Sequence, residues 1–138
     1  MNTRQINLES IRPEIPSATI NDTMSSDERF QNLVIRPIVK LQNDLFIEVF
    51  KNYANKHKGA FYDLSTEKRV HYIENAIQKD IKFRNSLKGV VIGLFTVDEY
   101  KVYIQNSSSL NKRMMQIVKD RLISNIQLLE RPEFLKAV

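Results

Sequence analysis

The sequence predicts an all-α protein, and three features predict it. Only 3 Gly and 4 Pro occur among 138 residues, too few for the many turns of an all-β chain. Apolar residues recur at steps of three and four over several long stretches. Ser25, Ser65 and Thr96 stand where helix N-caps belong. The expected architecture is a four-helix bundle-like domain with a kinked long first helix and an extended N-terminal arm.

Residues 1–25 hold Pro13 and Pro16 among Ser, Thr and Asn, with isolated isoleucines. This composition predicts a flexible arm that docks on the domain or on a partner, with one helical turn near Gln5–Ile11. The remainder, 26–138, reads as a single helical domain.

The first long helix is expected from Ser25 or Ser26 to about Lys58. Ser25 and Glu28 have capping-box spacing, and Gly59 offers a left-handed stop. Pro37 predicts a kink or break near Ile35–Arg36, because its ring removes a donor and crowds the preceding turn. Phe30, Leu33, Val34, Pro37, Ile38, Leu41, Leu45, Val49 and Tyr53 form one apolar stripe. Ile35, Val39, Phe46 and Phe50 form a second, offset stripe. A helix apolar on two faces is either central in its bundle or shared with another subunit.

A second helix is expected from Ser65 to Gly89 or Gly93, with Val70, Ile73, Ile77, Ile81 and Leu87 inward. Thr96 and Glu99 form a capping box for a short third helix, with Phe95 and Tyr100 at staple positions. The fourth should begin in Ser107–Ser109 and reach Glu130, since Pro132 cannot extend it. The tail 131–138 is expected to fray.

Composition then excludes several functions. A chain of 138 residues fits one domain of about 100–150 residues. Cys is absent, which removes disulfides and thiolate chemistry. The N-terminal residues lack the apolar run of a secretory signal, and no window has the ~20 apolar residues of a membrane span. The expected location is cytoplasmic. Net charge is +5. Residues 1–25 carry one more acid than base, while 26–58, 59–94 and 95–138 each carry two more bases than acids. An excess this even along the chain predicts solubility before polyanion binding.

Candidate chemistries are few. Carboxylate-bridged metal sites need Glu-x-x-His on two helices, whereas His57 and His71 are the only histidines and neither follows a Glu by three. Glu67, His71 and Glu74 share one face, which reads first as exposed polar surface. No metal and no cofactor are expected. No Gly-x-Ser-x-Gly turn or glycine-rich phosphate loop occurs, so no catalytic residue is assigned and the chain reads as non-enzymatic.

Polar residues inside apolar helices are more informative. Asp80 and Arg84 have i,i+4 spacing. Asn111, Lys112 and Arg113 open the fourth helix, where cations oppose the dipole and call for an anionic neighbour. Lys40, Arg84 and Arg113, with Asn43 and Asp80, are the candidate residues of an anion or polar-ligand pocket. The third and fourth helices, joined at Asn106–Ser109, also have the order of a helix-turn-helix, with polar residues facing outward, although the turn lacks glycine.

The segments Leu41-Gln42-Asn43-Asp44-Leu45, Tyr72-Ile73-Glu74-Asn75-Ala76-Ile77, Lys82-Phe83-Arg84-Asn85 and Asn111-Lys112-Arg113-Met114 resemble a family of short helical bacterial proteins. The likeness spans roughly residues 26–130. Some members of that family carry the label glyoxalase. That label implies β-α-β-β-β units with His and Glu ligands on strands, which the residues here do not predict.

The leading functional expectation is a helical protein–protein interaction domain, homodimeric through Ile35, Val39, Phe46 and Phe50, with itself or another protein as partner. The alternatives are a nucleic-acid-binding protein, or a small-ligand protein with an Arg/Lys anion pocket.

Overall fold

The computed structural model describes residues 2–16 and 19–130. It is all-helical, and no strand forms among the described residues. Helix α1 is Thr3–Ser10, capped by the Asn2 side chain. Then come α2 Ser26–Phe30, a π-helical turn Gln31–Ile35, α3 Arg36–Leu41 and α4 Asn43–Lys56. Next are α5 Thr66–Lys79, α6 Ile81–Ile92, α7 Val97–Tyr103 and α8 Ser107–Ser124. Short 3-10 turns lie at Ala60–Asp63 and Ile126–Leu128.

The N-terminal signals act as expected. The Ser25 hydroxyl accepts from the Glu28 N–H, and the Ser65 hydroxyl from the Lys68 N–H. Thr96 and Glu99 close a full reciprocal capping box. Phe95, however, packs edge-on against Phe30 and Tyr103 at 5.5 and 5.6 Å. Tyr100 is half exposed.

At Pro37, where the sequence predicts a kink or break near Ile35–Arg36, the chain stays helical but irregular. The backbone widens into the π turn just before it, with the Arg36 N–H reaching back to the Gln31 carbonyl. The wider turn makes room for the ring that would crowd the Leu33 carbonyl in a regular helix. Interruption comes instead at Gln42 (φ −91°, ψ 9°), whose side chain donates to the Val90 carbonyl at 3.2 Å. A stop at the far end takes two left-handed residues, Lys58 (φ 66°) and Gly59 (φ 68°).

The expected second helix is two helices. Asp80 takes an extended conformation (φ −90°, ψ 98°), and its carboxylate accepts the Phe83 N–H as N-cap of α6. Helix α8 stops at Ser124, short of Glu130. There the Asn125 amide donates both to the Arg121 carbonyl and to the Asn43 side chain. The tail from residue 131 lies outside the described residues.

Phe50 is fully buried and packs edge-on against Phe61, Tyr72 and Phe83. Ile35, Val39 and Phe46 are also fully buried, in the same core as Leu87, Val91, Met114 and Val118. The four residues expected at a dimer seam are therefore interior to one chain. Phe50 of α4 meets α5 and α6 through Tyr72 and Phe83, and α8 packs against α3 and α4.

Candidate anion-binding cleft

Along the same helices that bury this core, α3 and α8 bring their outer positions together. Arg36 and Lys40 lie one turn apart on α3; Lys112, Arg113, Gln116, Asp120, Arg121 and Ser124 lie on one side of α8. With Gln31 from the π turn and Ile15 and Pro16 from the arm, they line a cleft of about 880 Å³. Among the described residues five cations line this cleft with one carboxylate, Asp120, which already accepts from Gln116 at 3.0 Å.

Three of the cations donate to neutral groups. Lys40 donates to the Glu14 carbonyl at 3.1 Å, and Arg113 to the Gln31 side chain at 2.9 Å. Arg36 reaches Asn32 at 3.5 Å. Among the described residues no carboxylate forms an ion pair with Lys40, Lys112 or Arg121. The charge of Asp27 reaches Arg113, but this carboxylate is taken up by Ser109 at 2.7 Å and Asn106 at 2.9 Å. Those two bonds, more than Arg113, hold Asp27 below the usual carboxylate value. Asp27 is thus the anionic neighbour that the basic start of α8 calls for, and it serves the helix dipole.

A second cleft of about 650 Å³ runs along the other side of α8, lined by Glu74, Ile77 and Gln78 of α5 and Arg84 and Lys88 of α6. Helix α8 contributes Ser108, Asn111, Met115 and Lys119 there, and Lys112 and Gln116 line both clefts. Arg84 therefore does not join Lys40 and Arg113; α8 stands between them. Its guanidinium donates to the Gln78 carbonyl at 2.8 Å and closes the end of α5. This is a correction to the expected trio: two of its members converge, and the third faces a different cleft.

Asn43 and Asp80 fall outside both clefts. Asn43 accepts from Asn125 at 3.1 Å and ties α4 to the end of α8. Asp80 caps α6 and also accepts the Tyr53 hydroxyl at 3.0 Å. The Phe83 N–H and then the Tyr53 hydroxyl hold its carboxyl below the usual range. Burial and that same bond push Tyr53 up to about 12. Both residues hold helices in place. Glu74, from the Glu67–His71–Glu74 face, sits 3.5 Å from His71 and 3.8 Å from Lys119. Among the described residues no group of three or more His, Asp and Glu is placed to hold a metal ion. Nor is any helix among them long and apolar enough to cross a membrane.

Arg36, Lys112 and Arg121 complete the cleft without having been singled out as ligands. Spacing gave a partial signal: Arg113, Ile117, Asp120, Arg121 and Ser124 fall on one helical face. What sequence could not supply was the apposition of α3 and α8, some 75 residues apart by number. No protein-family model, no curated protein and no solved structure matches this chain significantly.

Proposed function

We propose that this chain is a non-enzymatic helical binding protein that takes an anionic partner into the α3/α8 cleft. One observation carries the reading: among the described residues, five cations line a single cleft with one carboxylate, and that carboxylate is itself hydrogen-bonded. Like charges held close repel, so an anion that bridges them gains both attraction and relief of that repulsion. Lys40 and Arg113 stand on opposite walls, and Arg113 offers the planar fork that suits phosphate or carboxylate oxygens. The scaffold in this reading is a four-helix bundle with a kinked first helix, whose bend sets the α3 wall against α8.

Calorimetric titration with tripolyphosphate at constant ionic strength tests it. Wild-type protein should bind, and Arg113→Ala should bind about tenfold more weakly, the cost of one charge-assisted contact. Equal heats from both proteins, or none from either, would defeat the reading.

A second reading is favoured by a specific surface on α7 and its C-cap residue Ile104. Val97, Tyr100 and Ile104, at spacings of three and four, are 52%, 46% and 53% exposed. Such a stripe suits association with another copy or another protein. The mass in solution of wild type against Tyr100→Ser/Ile104→Ser decides it: a larger assembly that the double variant abolishes supports association, and a monomer in both removes it.

A further inference from the structure

Cations do not stop at the α3/α8 cleft. Across the exposed line of Lys112 and Gln116, the second cleft adds Arg84, Lys88 and Lys119. Its carboxylate, Glu74, already lies near Lys119 and His71. Helix α8 is thus a polar ridge with a row of positive charge on each side. At 18 residues it is about 27 Å long, and a helix with its side chains is about 10–12 Å across.

We propose that the partner is duplex DNA, with the α8 ridge lying in the major groove and each row of cations meeting the phosphates of one strand. This rests on the anion-binding reading of the α3/α8 cleft and names its ligand. Three observations select a duplex. A small anion satisfies one cleft and leaves the other row unanswered, whereas a duplex presents two rows of phosphates. A single helix with its side chains, about 10–12 Å across, fits a major groove about 12 Å wide. Among the described residues neither cleft is lined by an aromatic side chain, although stacking platforms are what single-strand binders use. A-form RNA is a poorer fit, because its deep, narrow major groove does not admit such a ridge. Ser108 and Lys112 are exposed along the crest, and these side-chain types hydrogen-bond to base edges; Gln116 beside them donates to Asp120 at 3.0 Å.

The test is fluorescence anisotropy of the full chain with a labelled DNA duplex of about two helical turns. The same strand unpaired is the comparison, in about 50 to 200 mM salt. Five or so neutralised phosphates give a slope of log affinity against log salt of about −4 to −5. Lys112 serves both rows, so Lys112→Glu should weaken duplex binding at least about tenfold, and Lys112→Gln should reduce the slope by about 1. Lys101→Glu, an equal charge change on α7 outside both clefts, should change affinity by less than about twofold. Circular dichroism of each variant confirms that it folds. Equal or tighter binding of the single strand overturns the inference. So does duplex binding indifferent to Lys112→Glu, or none at the lowest salt. If tripolyphosphate still binds through Arg113 in those cases, the duplex falls and the anion cleft stands; if neither ligand binds, both fall.

Discussion

Arg12 and Arg113 carry the same guanidinium into opposite surroundings. Arg12 lies where the N-terminal arm crosses α7, its side chain 11% exposed, with both terminal nitrogens on Glu99 at 2.6 Å and one also on the Leu94 carbonyl. Glu99 in turn accepts the Thr96 N–H at 2.8 Å. Nearby, Arg4 donates to the Phe95 and Gly93 carbonyls at 2.7 and 3.0 Å. Arg113, in the cleft, has a glutamine as its hydrogen-bond partner and other cations around it. The first arrangement fastens the arm to the domain; the second keeps charge available. A charge answered inside the chain contributes to folding, whereas one left among like charges costs a little stability and gains its value from a partner.

The contrast can be broken by substitution, and the largest effect belongs to the fastened corner. Glu99→Ala removes the Arg12 partner and half of the capping box. It should cost about 2 kcal/mol, between the values of exposed and fully buried pairs, as read by urea unfolding. A loss below about 0.5 kcal/mol would mean that the arm is not held by this pair.

Next comes Asp80→Ala, which should cost about 1 kcal/mol as a lost N-cap and leave tripolyphosphate affinity unchanged. Weakened binding would return Asp80 to the ligand set.

Acid exposes the same corner. Burial alone pushes Glu99 up, but hydrogen bonds from Arg12 and the Thr96 N–H outweigh it and hold the carboxyl below its ordinary 4.5. A carboxyl lowered on folding stabilises the protein above that ordinary value, and its contribution is lost as pH falls through the folded-state value. Unfolding free energy should therefore decline below about pH 4.5, with a shallower decline in Arg12→Met. Parallel curves for the two proteins would show that the pair is not the source.

The smallest stability effect is expected in the cleft. Lys112→Gln should change unfolding free energy by no more than about 0.5 kcal/mol while weakening anion binding. A large loss of stability there would make the two regions alike.

Local chemistry was legible in the sequence, and register was not. Ser25, Ser65 and Thr96 cap their helices because a short hydroxyl facing an orphan N–H needs no tertiary help. Which apolar stripe points inward does need it. Of the first stripe, Phe30, Val34, Pro37 and Ile38 are buried but Leu33, Leu41 and Leu45 are 55%, 37% and 46% exposed, while the offset residues Ile35, Val39, Phe46 and Phe50 are fully buried. Two irregularities, the π turn Gln31–Ile35 and the interruption at Gln42, break the regular helical period, so a constant period read from Phe30 to Tyr53 does not stay on the core. At Asp80 the periodic run Ile73, Ile77, Ile81 hid an N-cap. Ile81, just past the break, is 61% exposed. Of the candidate ligand residues, Lys40 and Arg113 share a cleft, Arg84 faces the other, and Asn43 and Asp80 are structural. Even charge along the chain concealed the cleft, because bringing α3 against α8 is a tertiary event.

An NMR titration with inorganic phosphate at constant ionic strength, read on backbone amides and arginine side-chain signals, separates the two arginines in one experiment. An anion cleft between α3 and α8 predicts saturable shifts in Gln31–Lys40, in Lys112–Ser124 and in the Arg113 guanidinium, with the Arg12 signal and α7 unmoved. Shifts scattered over surface lysines without saturation, or an Arg12 that responds as strongly as Arg113, would contradict it.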